Sequence, residues 1–209
     1  QHALSKYQKL IVRCKVSCVY LCSSMIEDLK NRLAAYFLKK CGPEQEAREM
    51  VNLADAQKIL VLYAVGSDQE MKEAERFTSN LNGQNTNLSI DFVVFKNLSQ
   101  KQIERGHLKF PHQAVVITKD ELNLYLKPQK SITQSLLHTH YDLLIDLSSR
   151  PCYPLLFMTA EADAKTKVSR YFNGREVSDF SVKMKPEHTL TDFTQQVVKY
   201  LDIVNKKAV

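Results

Sequence analysis

Residues 58–65 (KILVLYAV) place apolar side chains at both odd and even positions, so a strand here must be covered on both of its faces. Residues 141–147 (YDLLIDL) come close to the same pattern. A strand with one wet face alternates apolar and polar residues, whereas runs without that alternation belong to the middle of a parallel sheet.

What stands between these runs fixes the fold class. After Gly66, Ser67 and Asp68 can cap a helix whose buried stripe is Met71, Ala74, Phe77 and Leu81, closing near Asn82-Gly83. Residues 88–95 (LSIDFVVF) read as a second strand and 114–117 as a short third. A helix over 131–140 capped by Ser131 leads into the strand 141–147, and Ser148 or Ser149 can cap a helix over 151–162 with Pro151 in its first turn. Strands at 167–172 and 180–184 and an amphipathic helix at 190–204 complete the chain. Strands alternating with helices at these lengths make βαβ units. The expectation for residues 51–209 is therefore a single α/β domain: a Rossmann-like, mostly parallel sheet with helices on both faces.

Residues 1–50 read as a separate basic arm. Within it Ile26, Leu29, Leu33, Tyr36 and Phe37 recur at helical spacing up to Cys41-Gly42-Pro43, and an acidic stretch from Glu44 links this helix to the domain. The chain opens with Gln and its first Met is Met25, so residues 1–24 are also readable as an upstream extension of the reading frame.

The segments "VNLADAQKILVLY" (51–63), "YDLLIDLS" (141–148) and "AKTKVSRY" (164–171) resemble a family of small bacterial α/β proteins of unknown function, over about three quarters of the chain. A shorter stretch, Tyr141 to Tyr171 with Leu155-Leu156 and Ala164-Lys165, is similar to the N-terminal half of heptosyltransferase-like GT-B glycosyltransferases. That likeness implies a Rossmann-like fold. The sugar-nucleotide donor of such enzymes is held mainly by a second Rossmann-like domain, which 209 residues are too few to contain.

The net charge of +6 suggests a nucleic-acid partner until its distribution is read. Residues 1–41 carry eight basic groups against Glu27 and Asp28, which leaves the remaining 21 basic and 21 acidic residues in balance. No nucleic acid is expected for the body, and any attraction to phosphates or an anionic membrane surface belongs to the arm. No transmembrane segment is expected, because Arg13 and Lys15 interrupt the one long apolar stretch. The five cysteines, with Cys14, Cys18 and Cys22 on one helical face, do not form a disulfide framework, and a reducing, cytoplasmic location is expected.

A parallel sheet presents ligands at the carboxyl ends of its strands. The candidate rim is therefore the stretches 66–68, 118–120 and 148–152, and the candidate ligand-binding residues are Gly66, Ser67, Asp68, Thr118, Asp146, Ser148, Arg150 and Cys152. The turn after Val65 lacks G-x-G-x-x-G and the chain lacks G-x-x-x-x-G-K-[ST], so no nucleotide cofactor is expected. Cys152 lies between a strand and a helix, where backbone N–H groups can activate a thiol, but Met158 stands where a cysteine phosphatase needs Arg. His138, His140 and Asp142 point in differing directions around a helix-to-strand junction, and no metal is expected there. Asp142 and Asp146 share one face of their strand. Buried carboxylates need partners, and Arg150 or Arg170 is the expected one for Asp146.

The function these residues suggest is non-enzymatic: an α/β domain that binds a small ligand at the rim, or a protein partner or second copy through the N-terminal helix. The alternatives are a degenerate transferase in which Asp146, Ser148 and Arg150 hold an anionic or sugar-nucleotide-like substrate, and a membrane or nucleic-acid contact through the arm.

Overall fold

Six strands form one sheet in which every pairing is parallel: β1 (Lys58–Ala64), β2 (Ser89–Lys96), β3 (Ala114–Thr118), β4 (Tyr141–Asp146), β5 (Ala164–Arg170) and β6 (Phe180–Val182). Their spatial order is β3-β2-β1-β4-β5-β6, the doubly wound arrangement. The computed structural model describes residues 25–41, 50–84, 87–106, 110–111 and 113–203. The stretch 1–24, with Cys14, Cys18 and Cys22, and most of the acidic linker lie outside the described residues.

The central runs are buried because they are apolar on both sides. Ile59, Val61 and Tyr63 of β1 pack toward α2 (Asp68–Gln84) and α6 (Leu190–Ile203), where Met71, Ala74, Phe77, Phe193 and Val197 close that face. Leu60 and Leu62 take the other parity and meet α4 (Lys130–Leu137) and α5 (Tyr153–Glu161) through Leu136, Leu155 and Met158. Each such side chain contributes about 1.5–3 kcal/mol by leaving water. A helix over residues 25–40, α1, forms a fourth layer outside α5, its Ala34 and Leu38 packed on Leu156, Phe157 and Ala160 of α5. Among the described residues no helix is long and apolar enough to cross a membrane.

Several boundaries differ from the sequence reading for local reasons. The first helix after β1 ends at Gln84, one residue beyond the expected stop near Asn82-Gly83. A short α3 (Gln100–Arg105) was not expected. It starts at a capping box in which Ser99 Oγ accepts the Gln102 N–H while the Gln102 side chain accepts the Ser99 N–H. The cap of α4 is Gln129 instead of Ser131, and the helix ends at Leu137 where His138 N–H still reaches Gln134. α5 begins at Tyr153 with Cys152 at the cap, so that Pro154, not Pro151, occupies the first turn. β5 and β6 pair in parallel across a helix-free loop that turns at Gly174, whose φ of 70° favours glycine.

Candidate functional site

In this strand order the chain leaves β1 toward β2 on one side, while β4 and β5 extend the sheet on the other. The crossovers therefore part at the carboxyl ends of β1 and β4. A cleft of about 1110 Å³ opens there, floored by Ala64, Val65 and Phe95 and walled by the loops after β1, β2, β3 and β4. Ile26, Glu27, Lys30 and Asn31 of α1 close its outer side.

The loop after β1 builds one wall. Ser67 Oγ accepts the Glu70 N–H at 3.2 Å and the Ser67 carbonyl accepts the Met71 N–H at 3.0 Å, which makes Ser67 the cap of α2. Asp68 and Glu70 bring two negative charges to the first turn, where the helix dipole favours them. Glu70 Oε2 fills the space a Cβ on Gly66 would need, and Tyr63 OH donates to that carboxylate at 3.5 Å. Burial, reinforced by Glu70, holds the Tyr63 hydroxyl protonated well above the usual phenol range. In a dinucleotide site this helix N-terminus would face a pyrophosphate. Here the protein's own carboxylate lies against the turn.

The wall formed after β2 and β3 contains Asn97, Lys119, Asp120 and Asn123. Asp120 Oδ2 accepts the Gln100 N–H at 2.9 Å and thereby caps α3. Asn123 Oδ1 accepts from the N–H groups of Tyr125 and Lys127 at 3.1 and 3.0 Å, organising a turn in which Leu126 has a φ of 63°. A leucine in that left-handed conformation costs roughly 1–2 kcal/mol, so the surrounding contacts over-determine this cleft-lining loop. Lys119 and Arg150 make no side-chain hydrogen bond or ion pair among the described residues.

At the end of β4 the rim residues divide. Gly66, Ser67, Arg150 and Cys152 line the cleft, whereas Asp68, Thr118, Asp146 and Ser148 do not. Thr118 is buried below the wall, its N–H donating to Glu121 at 2.6 Å. Asp146 is 1% exposed and turns inward, its Oδ1 accepting the Ser148 N–H at 2.9 Å. Ser148 Oγ in turn accepts the Ala64 N–H at 3.2 Å, so this pair pins β4 to β1 beneath the cleft. Burial pushes the Asp146 carboxyl above its ordinary value, with the Ser148 hydrogen bonds and the Arg170 charge working against it. The expected salt bridge is not formed: among the described residues neither Arg150 nor Arg170 pairs with Asp146. Arg170 instead lies over the Phe193 ring at 5.2 Å, with Nε and Nη2 buried and without a hydrogen-bond partner.

Cys152 lies in the cleft lining at the cap of α5. Burial pushes its thiol up to about 12, overriding the Leu155 N–H that would lower it. The histidine segment lies at the opposite, amino edge of the sheet, where His140 Nδ1 meets Asp163 at 3.0 Å and Asp142 binds Lys165 at 2.7 Å. Among the described residues no group of three His, Cys, Asp or Glu side chains is placed to hold a metal ion.

Sequence reasoning did not single out Asn97, Asn123 or the α1 residues, whereas Lys119 lies in the stretch 118–120 that it placed on the rim. Asn97 follows β2 directly, so the rule that located the rim would have found it had it been applied to every strand end. The α1 contribution has no such signal, because it depends on how that helix seats on α5.

No curated protein and no solved structure matches this chain. Residues 30–204 match the model of a family of unknown function, DUF6913, and the chain belongs to that family.

Proposed function

We propose that this protein is a non-catalytic binding domain that takes a small acidic ligand in the cleft between β1 and β4. The observation that carries the reading is that Lys119 and Arg150 line the cleft without a side-chain hydrogen bond or ion pair among the described residues, while Glu70 lies at the N-terminus of α2. A carboxylate or phosphate group entering here meets those two cations and avoids the α2 terminus, which argues against a dinucleotide held in the usual way. Other polar groups lining the cleft already serve the fold: Ser67 and Asp120 cap helices and Asn123 shapes its turn. Cys152 stays protonated. That leaves groups suited to holding a ligand and no activated nucleophile paired with a base.

A thermal-shift panel of small carboxylic acids and phosphorylated metabolites tests this. A ligand at 100-fold over its Kd adds roughly 2.7 kcal/mol to stability. Lys119→Ala and Arg150→Ala should abolish the shift while leaving unliganded stability within about 0.5 kcal/mol, as exposed substitutions do. A panel with no stabilising compound, or a shift that both variants retain, would refute the reading.

A further inference from the structure

The face of α1 turned away from the domain carries a second pattern. Ile26, Leu29, Leu33 and Tyr36 recur at intervals of three, four and three residues and are 50%, 58%, 38% and 55% exposed. That spacing is the a/d seam of a coiled coil, narrower than the apolar face of a helix lying in a membrane interface. In the same register Ala34 and Leu38, which pack on α5, take positions on the back of the helix. One helix therefore has two apolar faces, and among the described residues the domain covers only one of them.

The residues beside the seam select what covers the other. Positions e and g are Lys30, Arg32 and Lys39, with Met25 and Phe37, and Lys40 continues the seam with its ammonium 4.6 Å from the Tyr36 ring centre. Acidic residues are absent from the e and g positions of this helix. Asp28 reaches Arg32 at 2.9 Å from outside them, an exposed pair of little strength. A second copy of α1 would bring like charges together along the flanks, which disfavours self-pairing. We propose that the exposed face of α1 is a docking surface for a partner helix with an a/d apolar seam and glutamate or aspartate at its flanking positions. The surface meets the cleft only at Ile26 and Lys30, while Leu29, Arg32, Leu33, Tyr36 and Lys39 do not line it.

The test uses the full chain and two synthetic three-heptad helices with leucine at a and d, one carrying Glu and the other Lys at e and g. Fluorescence anisotropy should show the Glu peptide binding at least tenfold more tightly than the Lys peptide, with the difference shrinking as salt is raised. Leu29→Ser with Leu33→Ser should weaken Glu-peptide binding at least tenfold without changing the circular dichroism or the melting temperature. Arg32→Glu with Lys39→Glu, neither of which lines the cleft, should reverse the peptide preference. Equal binding of both peptides, seam-dependent self-association of the chain in sedimentation, or seam-dependent adsorption to anionic phospholipid vesicles without peptide binding would each overturn the proposal.

Discussion

The Glu70 carboxylate lies against Gly66, occupying the volume in which any side chain at that position would begin. Gly66 does not adopt a positive φ, so glycine is tolerated there for space and not for conformation. Gly66→Ala should thus push the flexible Glu70 side chain off its Tyr63 contact, at a small cost that is present only while Glu70 is there. In a Glu70→Ala background the same change should stabilise by about 0.4–1 kcal/mol by restricting the unfolded chain. Urea denaturation of the four proteins in the cycle measures the coupling.

Asp146 makes stability depend on pH. Burial raises its folded pKa above the ordinary 3.8, so the folded state holds the proton more tightly than the unfolded chain does. The stabilisation from this group is complete below 3.8, is lost as pH rises through the folded value and is level beyond it. Asp146→Asn keeps an oxygen for the Ser148 N–H but cannot ionise. Its stability relative to wild type should therefore increase from pH 4 upward, and a decrease over that range would contradict the assignment.

Asp142 behaves in the opposite sense. Burial alone would raise its carboxyl, but the Lys165 ammonium and the N–H groups of Gln57 and Lys58 outweigh it and hold the group below 3.8. These contacts, at 2.7, 2.9 and 3.1 Å, tie the start of β4 to β5 and to the start of β1. Their contribution is present above 3.8 and is lost as pH falls through the folded value. Asp142→Ala should cost about 1.5–3 kcal/mol at neutral pH and much less in acid, as measured by denaturant midpoint.

With its thiol pushed up to about 12, Cys152 should resist alkylation in the native state. Burial, followed by the charge of Glu161, also raises the Cys41 thiol. Iodoacetamide at pH 8 followed by peptide mass mapping should modify Cys152 only after denaturant is added, and Cys41 more slowly in the native than in the denatured chain. Rapid native labelling of Cys152 would show a thiolate and reopen nucleophilic chemistry.

The parallel sheet was legible because residues 59–63 and 143–147 carry apolar side chains at both parities, a pattern that only cover on both sides satisfies. The position of the cleft followed from the same inference, since strand direction decides which edge is open. Which side chains enter it was less legible. Asp146 and Ser148 stand at the right strand end but turn inward because Ser148 Oγ serves the Ala64 N–H, a contact between segments far apart in sequence. α3 escaped notice because six residues are too few to show a period, although Ser99 and Gln102 carried its capping signature. The seating of α1 depends on Ala34 and Leu38 fitting α5, which no local pattern records.

Backbone-amide shift mapping with pooled carboxylic and phosphorylated metabolites locates the binding surface directly. Perturbations should cluster at Asn97, Lys119 and Arg150, at the carboxyl edge of the sheet, and leave Gln57, Lys58 and Tyr141 unmoved at the other. No perturbation from any pool, or one confined to the amino edge, would contradict a ligand cleft between β1 and β4.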